Sequence, residues 1–133
     1  MKQITVLILD DHPEVSSRLA KGLSGIVGFH VVGHTTNPVM AAEFAHQWHP
    51  QVIIADFSRV KGERSAMARW LKDNSPESHL VIYSTLYLDD ERNDFLRAGA
   101  ASCLLKGMTL NELAAELRKI CSDKPAIAAQ HTI

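Results

Sequence analysis

Residues 51–62 read QVIIADFSRVKG: an apolar run, Val52-Ile53-Ile54-Ala55, followed directly by Asp56. Consecutive apolar residues without alternation predict a strand covered on both faces, as in a parallel sheet. A carboxylate at the end of such a strand costs free energy unless something pairs with it. The same kind of run recurs along the chain. ITVLIL (4–9), HVVGH (30–34), HLVIYS (79–84) and ASCLL (101–105) join QVIIA (51–55) as candidate strands.

Helical periodicity fills the gaps. Val15, Leu19 and Leu23 recur at i, i+4, i+8, and Asn37-Pro38 reads as an N-cap with proline at the first helical position, ahead of residues 39–47. Ala66, Met67, Trp70 and Leu71 predict one apolar stripe. Phe95 and Leu96 precede Ala98-Gly99, where Gly99 suits a left-handed cap. Thr109 with Glu112 is a capping box, and Leu110, Leu113, Ala114, Leu117, Ile120 and Cys121 form the stripe of the last helix. Five strands alternating with five helices predict a doubly wound α/β domain with a parallel sheet.

Composition bounds the function. The chain has 133 residues, enough for one domain with a real core, and its formal net charge of -1 provides no whole-chain footprint for nucleic acid or an anionic membrane. Cys103 and Cys121 form no CxxC pair and read as reduced thiols of a cytosolic protein. No apolar stretch approaches the roughly 20 residues of a membrane span. The N-terminus MKQITVLILDDHPE lacks the small-residue cleavage site of a signal peptide. A cytoplasmic protein without membrane contact is expected.

In open α/β sheets, ligands gather at the carboxyl ends of the strands. Those ends carry Asp10-Asp11, His34-Thr35-Thr36, Asp56, Ser84-Thr85 and Lys106. Singly, each has an ordinary reading: an aspartate as turn former or helix cap, a lysine as a solvated charge, a serine as nothing in particular. Their conjunction says more. Three carboxylates on one rim repel unless a cation neutralises them, and oxygen ligands suit Mg²⁺ rather than zinc. A lysine and a hydroxyl beside them complete a cradle for an anion with several oxygens, the apparatus of phosphoryl transfer. Asp56, alone at its strand end, is then the natural nucleophile, forming an acyl phosphate. Gly22, Gly25 and Gly28 follow a helix rather than a strand and do not read as a phosphate loop. His46 and His49 read as the end of a helix without a third metal ligand, and His12 as opening the first helix with Pro13.

Four segments in order, VLILDDHPE, PQVIIADFS, LVIYST and AGAASCLLKG, resemble the motifs of the receiver (CheY-like) domain of two-component response regulators. The resemblance runs from Ile4 to about Ile120, with Asp11, Asp56, Ser84 and Lys106 separated by 45, 28 and 22 positions. DDHP and GAASCLLKG are most similar to receivers of the LuxR/NarL type. The resemblance implies a flavodoxin-like fold, a five-stranded parallel sheet of order 2-1-3-4-5 with five helices and the site at its switch point. It implies a receiver over residues 1–122, with 123–133 as linker or C-terminal tail. It further implies a signalling module rather than an enzyme, with Asp56 accepting a phosphoryl group from a histidine kinase. Asp10, Asp11, Asp56 and the Ser58 carbonyl would hold Mg²⁺, Asp10 largely through water, while Ser84 and Lys106 would contact the phosphoryl group. Homodimerisation on activation is expected with it.

Two positions depart from the family pattern. Val60 stands where proline is usual, so a less restrained loop is expected, with Arg59 adding a positive charge near the site. Cys103 stands at the switch position, where the family usually has Tyr or Phe, so a weak readout is expected through the fourth and fifth strands or through another aromatic such as Tyr83 or Tyr87. These departures keep open a receiver-like interaction module that works without phosphorylation. An aspartyl-phosphate phosphohydrolase of the haloacid dehalogenase kind fits less well, because its nucleophile lies on the first strand in a D-x-D motif, which Asp10-Asp11-His12 does not supply. The tail SDKPAIAAQHTI is too short for a recognition helix with its support. The resemblance to receivers that precede a helix-turn-helix output domain implies a DNA-binding output domain absent from this chain, with the tail as the start of its linker; the alternative is a stand-alone receiver that acts by protein contact alone.

Overall fold

The computed structural model describes residues 3–123. In chain order the elements are β1 (Ile4–Asp10), α1 (Pro13–Ser24), β2 (Phe29–Thr35), α2 (Pro38–Trp48), β3 (Val52–Asp56), α3 (Arg64–Asn74), β4 (His79–Ser84), α4 (Glu91–Arg97), β5 (Ser102–Leu105) and α5 (Leu110–Asp123). All strand pairs are parallel, and the sheet order is β2-β1-β3-β4-β5. The expected linker lies outside the described residues, apart from Asp123, which ends α5.

The apolar runs are buried on both faces because each face has its own helical cover. Leu7, Leu9, Ile53, Ala55, Leu80 and Ile82 point to one side, where Ala41 and Ala45 of α2, Ala68 and Leu71 of α3 and Phe95 of α4 meet them. The alternate residues Val6, Ile8, Val52, Ile54, Val81 and Tyr83 point to the other, against Leu23 of α1 and Leu113, Ala114 and Leu117 of α5. That is the period-2 alternation of a strand read on two covered faces. Burying each such Leu or Ile fully contributes roughly 1.5–3 kcal/mol.

The caps form as the residue types predict. Asn37 Oδ1 accepts hydrogen bonds from Val39 N at 2.8 Å and Met40 N at 3.2 Å. In the capping box, Thr109 N donates to Glu112 Oε1 at 2.7 Å and Glu112 N donates to Thr109 Oγ1 at 3.1 Å. Gly99, just past α4, has φ +113, and a Cβ there would come within 2.9 Å of Lys72 Cγ. His49 closes α2 in the left-handed region, φ 47, and bonds Glu77 at 3.1 Å.

Two helices bury only part of their expected stripes: Leu23 and Leu71 are buried as expected, and Leu19 and Met67 pack against the core. In α1 the buried residues are Ser16, Ala20 and Leu23, while Val15 is 36% exposed. In α3 Ala68 and Leu71 are buried, whereas Ala66 and Trp70 are exposed. In both, the buried face is shifted round the helix, so that Ala20 and Ala68 lie on the sheet beside Leu23 and Leu71 while Val15 and Trp70 face outward. Both cysteines are free, Cys103 buried and Cys121 partly so.

Candidate functional site: an acidic cleft at the ends of β1, β3 and β5

Asp10 and Asp56 are the last residues of β1 and β3, and they are partners in the parallel register of those strands. The sheet therefore sets the two carboxylates side by side, 3% and 6% exposed. Each resolves its burial in the same way. Asp10 Oδ1 accepts from His12 N at 2.9 Å, and Asp56 Oδ1 accepts from Ser58 N at 2.8 Å, an aspartate turn two residues long in both cases. The other oxygen of each accepts from Lys106 Nζ, at 2.7 Å for Asp10 and 2.6 Å for Asp56.

Lys106 follows β5 directly, and its backbone N–H is tied to the Ser84 carbonyl at 2.8 Å. Burial pushes the Asp56 carboxyl upward, but the hydrogen bonds from Lys106 and Ser58 and the charge of Lys106 outweigh it and lower the pKa below 3.8. Burial likewise pushes Lys106 down, and hydrogen bonds and charge from Asp10 and Asp56 reverse this, holding it above 10.5. Both shifts favour the charged pair.

Asp11 is the exception. Its Oδ1 is buried with no hydrogen-bond partner, alone in this among side-chain atoms of the described residues. His12 Nδ1 lies 3.3 Å from that oxygen without the geometry of a hydrogen bond, and 3.2 Å from Asp10 Oδ1. His12 does sit at the N-cap of α1, as its sequence position suggested, but its side chain makes no cap bond and turns back onto the acids. Asp10, Asp11 and His12 each offer a ligand atom, all within 4.8 Å of one another. Asp11 and Asp56 line one cleft of about 200 Å³ together with Thr36, Arg59 and Val60. Carboxylate oxygens, one of them unpartnered, fit a hard divalent cation such as Mg²⁺.

The remaining expected residues fall around this cleft. Ser58 contributes its N–H to Asp56. Ser84 is buried at the end of β4, and its Oγ donates to the Leu86 carbonyl at 3.1 Å rather than to either carboxylate. Cys103 is buried among Phe57, Ile82 and Phe95. Val60 N donates to the Phe57 carbonyl at 2.9 Å, a bond that proline at 60 could not make. The loop after Asp56 is thus restrained by a hydrogen bond instead of a ring. Phe57 went unremarked in the sequence; it is 2% exposed and stacks on Phe95 with centroids 6.3 Å apart. Its signal was an aromatic residue immediately after the strand-end acid.

The Response regulator receiver domain family profile matches residues 6–118. The chain belongs to this family. The receiver is 28% identical over 127 residues to Response regulator GacA of Pseudomonas protegens, covering 96% of this chain and 60% of that protein. It is 24% identical over 127 residues to Transcriptional regulatory protein LiaR of Bacillus subtilis, covering 96% and 60%. The chain thus spans about three fifths of the length of these curated relatives. The receiver also superposes on a crystal structure of a two-component response regulator of the LuxR family from Aurantimonas sp. SI85-9A1, with a TM-score of 0.81 at 16% identity, covering 93% of this chain and 89% of that one. Receiver domains are phosphorylation-dependent signalling modules that typically bind Mg²⁺ at an acidic site, and they are generally not enzymes. Among the described residues, no helix is long and apolar enough to cross a membrane.

Proposed function

We propose that Asp56 of this receiver takes a phosphoryl group from the phosphohistidine of a histidine kinase, and that the change controls a DNA-binding output domain. The observation that carries the assignment is the placement of Lys106 Nζ between Asp10 and Asp56, at 2.7 and 2.6 Å. An ammonium so placed keeps Asp56 ionised and able to attack. It can then stay beside the oxygens of the arriving group, where negative charge accumulates. In the transfer an Asp56 oxygen forms the new P–O bond while the P–N bond of the donor breaks, its electron pair returning to the imidazole.

Asp11 and Asp56, with the Ser58 carbonyl and Asp10 through water, would hold Mg²⁺, which supplies charge neutralisation among the phosphoryl oxygens when bound. Arg59, on the cleft wall, adds positive charge at its mouth. The Ser84 hydroxyl would leave the Leu86 carbonyl to donate to a phosphoryl oxygen. The output reading rests on the relative named Transcriptional regulatory protein LiaR.

Intact-mass analysis after acetyl phosphate and Mg²⁺ tests the assignment. One phosphoryl group should appear on the parent chain and none on Asp56→Asn. A parent that gains no mass, or an Asp56→Asn variant labelled like the parent, would show the assignment to be wrong.

A further inference from the structure

We infer that Tyr87 is a positioning residue for Ser84: its hydroxyl clamps the loop after β4 onto β5, and the clamp opens when Ser84 turns toward a phosphoryl group on Asp56. This rests on the reading of Asp56 as the phosphoacceptor.

Ser84 closes the start of that loop on itself, with Oγ donating to the Leu86 carbonyl at 3.1 Å and Leu86 N 3.5 Å from the same oxygen. A serine hydroxyl has one hydrogen. Donating it to a phosphoryl oxygen withdraws it from Leu86, and the loop loses its closing bond. The next residue is Tyr87. Its hydroxyl donates to the Leu104 carbonyl of β5 at 2.5 Å, with the Ile82 carbonyl of β4 at 3.3 Å. Burial and the neighbouring Cys103 push its ionisation far above the physiological range, so the donor keeps its proton. The loop thus has two tethers, one that a phosphoryl group would compete for and one that it would not.

The second tether reaches α4. The Arg92 guanidinium lies 4.5 Å from the centre of the Tyr87 ring, and its Nη1 donates to the Cys103 carbonyl at 3.1 Å. The ring also meets Phe95 edge-on at 6.2 Å. Phe95 in turn stacks on Phe57, the residue after Asp56. Tyr87 therefore packs against the cluster that holds Cys103, Phe57 and Phe95. With only a thiol at position 103, the phenol that reaches the β5 backbone on this face comes from residue 87. A loop pulled by Ser84 drags the phenol from Leu104 and takes from Arg92 the ring that it covers.

Hydrogen exchange at the amides of residues 91–97 tests this. The parent chain, Tyr87→Phe, Ser84→Ala and the double variant are compared with and without acetyl phosphate and Mg²⁺. Tyr87→Phe keeps the ring and removes only the donor. Loss of one such bond should speed exchange roughly two- to tenfold. That increase is expected in the parent on phosphorylation. It is expected in Tyr87→Phe already without phosphorylation, with nothing further added on labelling. Ser84→Ala lacks the hydroxyl that would pull the loop, so its exchange should not rise further on labelling although intact mass shows its phosphoryl group, and the double variant should likewise show no increment. A purely structural clamp would speed exchange in Tyr87→Phe and still leave the full phosphorylation increment, which overturns the coupling. So does a Tyr87→Phe variant indistinguishable from the parent in both states. If the parent takes no phosphoryl group, the phosphoacceptor reading fails and the coupling with it. The clamp alone is then judged on the unphosphorylated pair, where equal exchange refutes it.

Discussion

At Lys106 one ammonium serves two buried carboxylates, and the cost of losing it follows from that. Lys106→Met leaves Asp10 and Asp56 adjacent and uncompensated, so stability at neutral pH without Mg²⁺ should fall by about 3 kcal/mol, read by urea unfolding. The pH dependence has a definite sign. The Asp56 pKa is depressed, so its contribution is present above 3.8 and lost as pH falls through its lower folded value. That of Lys106 is raised, so its contribution is present below 10.5 and lost as pH rises through its higher folded value. The parent's own contribution from this pair should therefore be flat from about pH 5 to 9, and the gap to the variant should shrink in acid, where protonation relieves the uncompensated carboxylates. A difference that grows in acid would contradict the geometry. Asp11→Ala should weaken Mg²⁺ binding strongly in a fluorescence or NMR titration, because it removes the carboxylate oxygen with no other partner. At Cys103, burial raises the thiol from 9.0 to about 11. The thiolate fraction at pH 8 falls about a hundredfold in consequence, and alkylation of Cys103 in the native chain should be at least that much slower than in urea.

The helices differ in how much of their order is local. In α5, 14 residues carry a complete capping box and a continuous apolar stripe. Thr109→Ala removes one reciprocal bond and should cost about 1 kcal/mol, visible as a lower thermal midpoint. The α4 helix has seven residues, opens at Asp90 in the left-handed region and has no side-chain cap bond at that residue. A helix of that length is marginal alone. It is held by tertiary contacts: Phe95 in the core, Arg92 on the Cys103 carbonyl, and the turn at Gly99. Gly99→Ala combines a positive φ with a Cβ 2.9 Å from Lys72 Cγ, and should destabilise by about 1–2 kcal/mol. If its thermal midpoint equals that of the parent, Lys72 has moved aside and the left-handed backbone tolerates alanine.

Across the molecule, the two faces of the sheet carry separate apolar clusters that share the same strands. The α2, α3 and α4 layer contains the aromatic path from Phe57 through Phe95 to Tyr87, while the α1 and α5 layer packs against Val6, Ile8 and Ile54. A cavity on the second face, as in Ile54→Ala, should cost 2–5 kcal/mol on the general scale of about that size for buried residues, yet leave Asp56 labelling intact in the folded fraction. Electrostatics at this scale disfavour nucleic acid. With a net charge of -1, the chain by itself should not shift duplex DNA at physiological salt. Salt-dependent binding at micromolar protein would overturn this.

The strand positions, the acidic rim and the helix caps were legible in the sequence because each depends on local chemistry. VIIA followed by Asp56 is apolar through and through whatever its neighbours do, and Asn37-Pro38 and Thr109-x-x-Glu112 close their own helix ends. The order 2-1-3-4-5 came with the family resemblance carried by the four strand-end motifs. Three features depend on which surfaces meet, and only the tertiary structure decided them. Trp70 and Val15 turned outward because the buried faces of their helices are shifted toward Ala68 and Ala20, which periodicity weighted by side-chain size does not see. The Val60 N–H found the Phe57 carbonyl, so the missing proline left a bonded turn behind. Tyr87 found the Leu104 carbonyl 17 positions away. A hydroxyl's partner across that distance is set by the packing of β4 and β5, and no spacing in the chain encodes it.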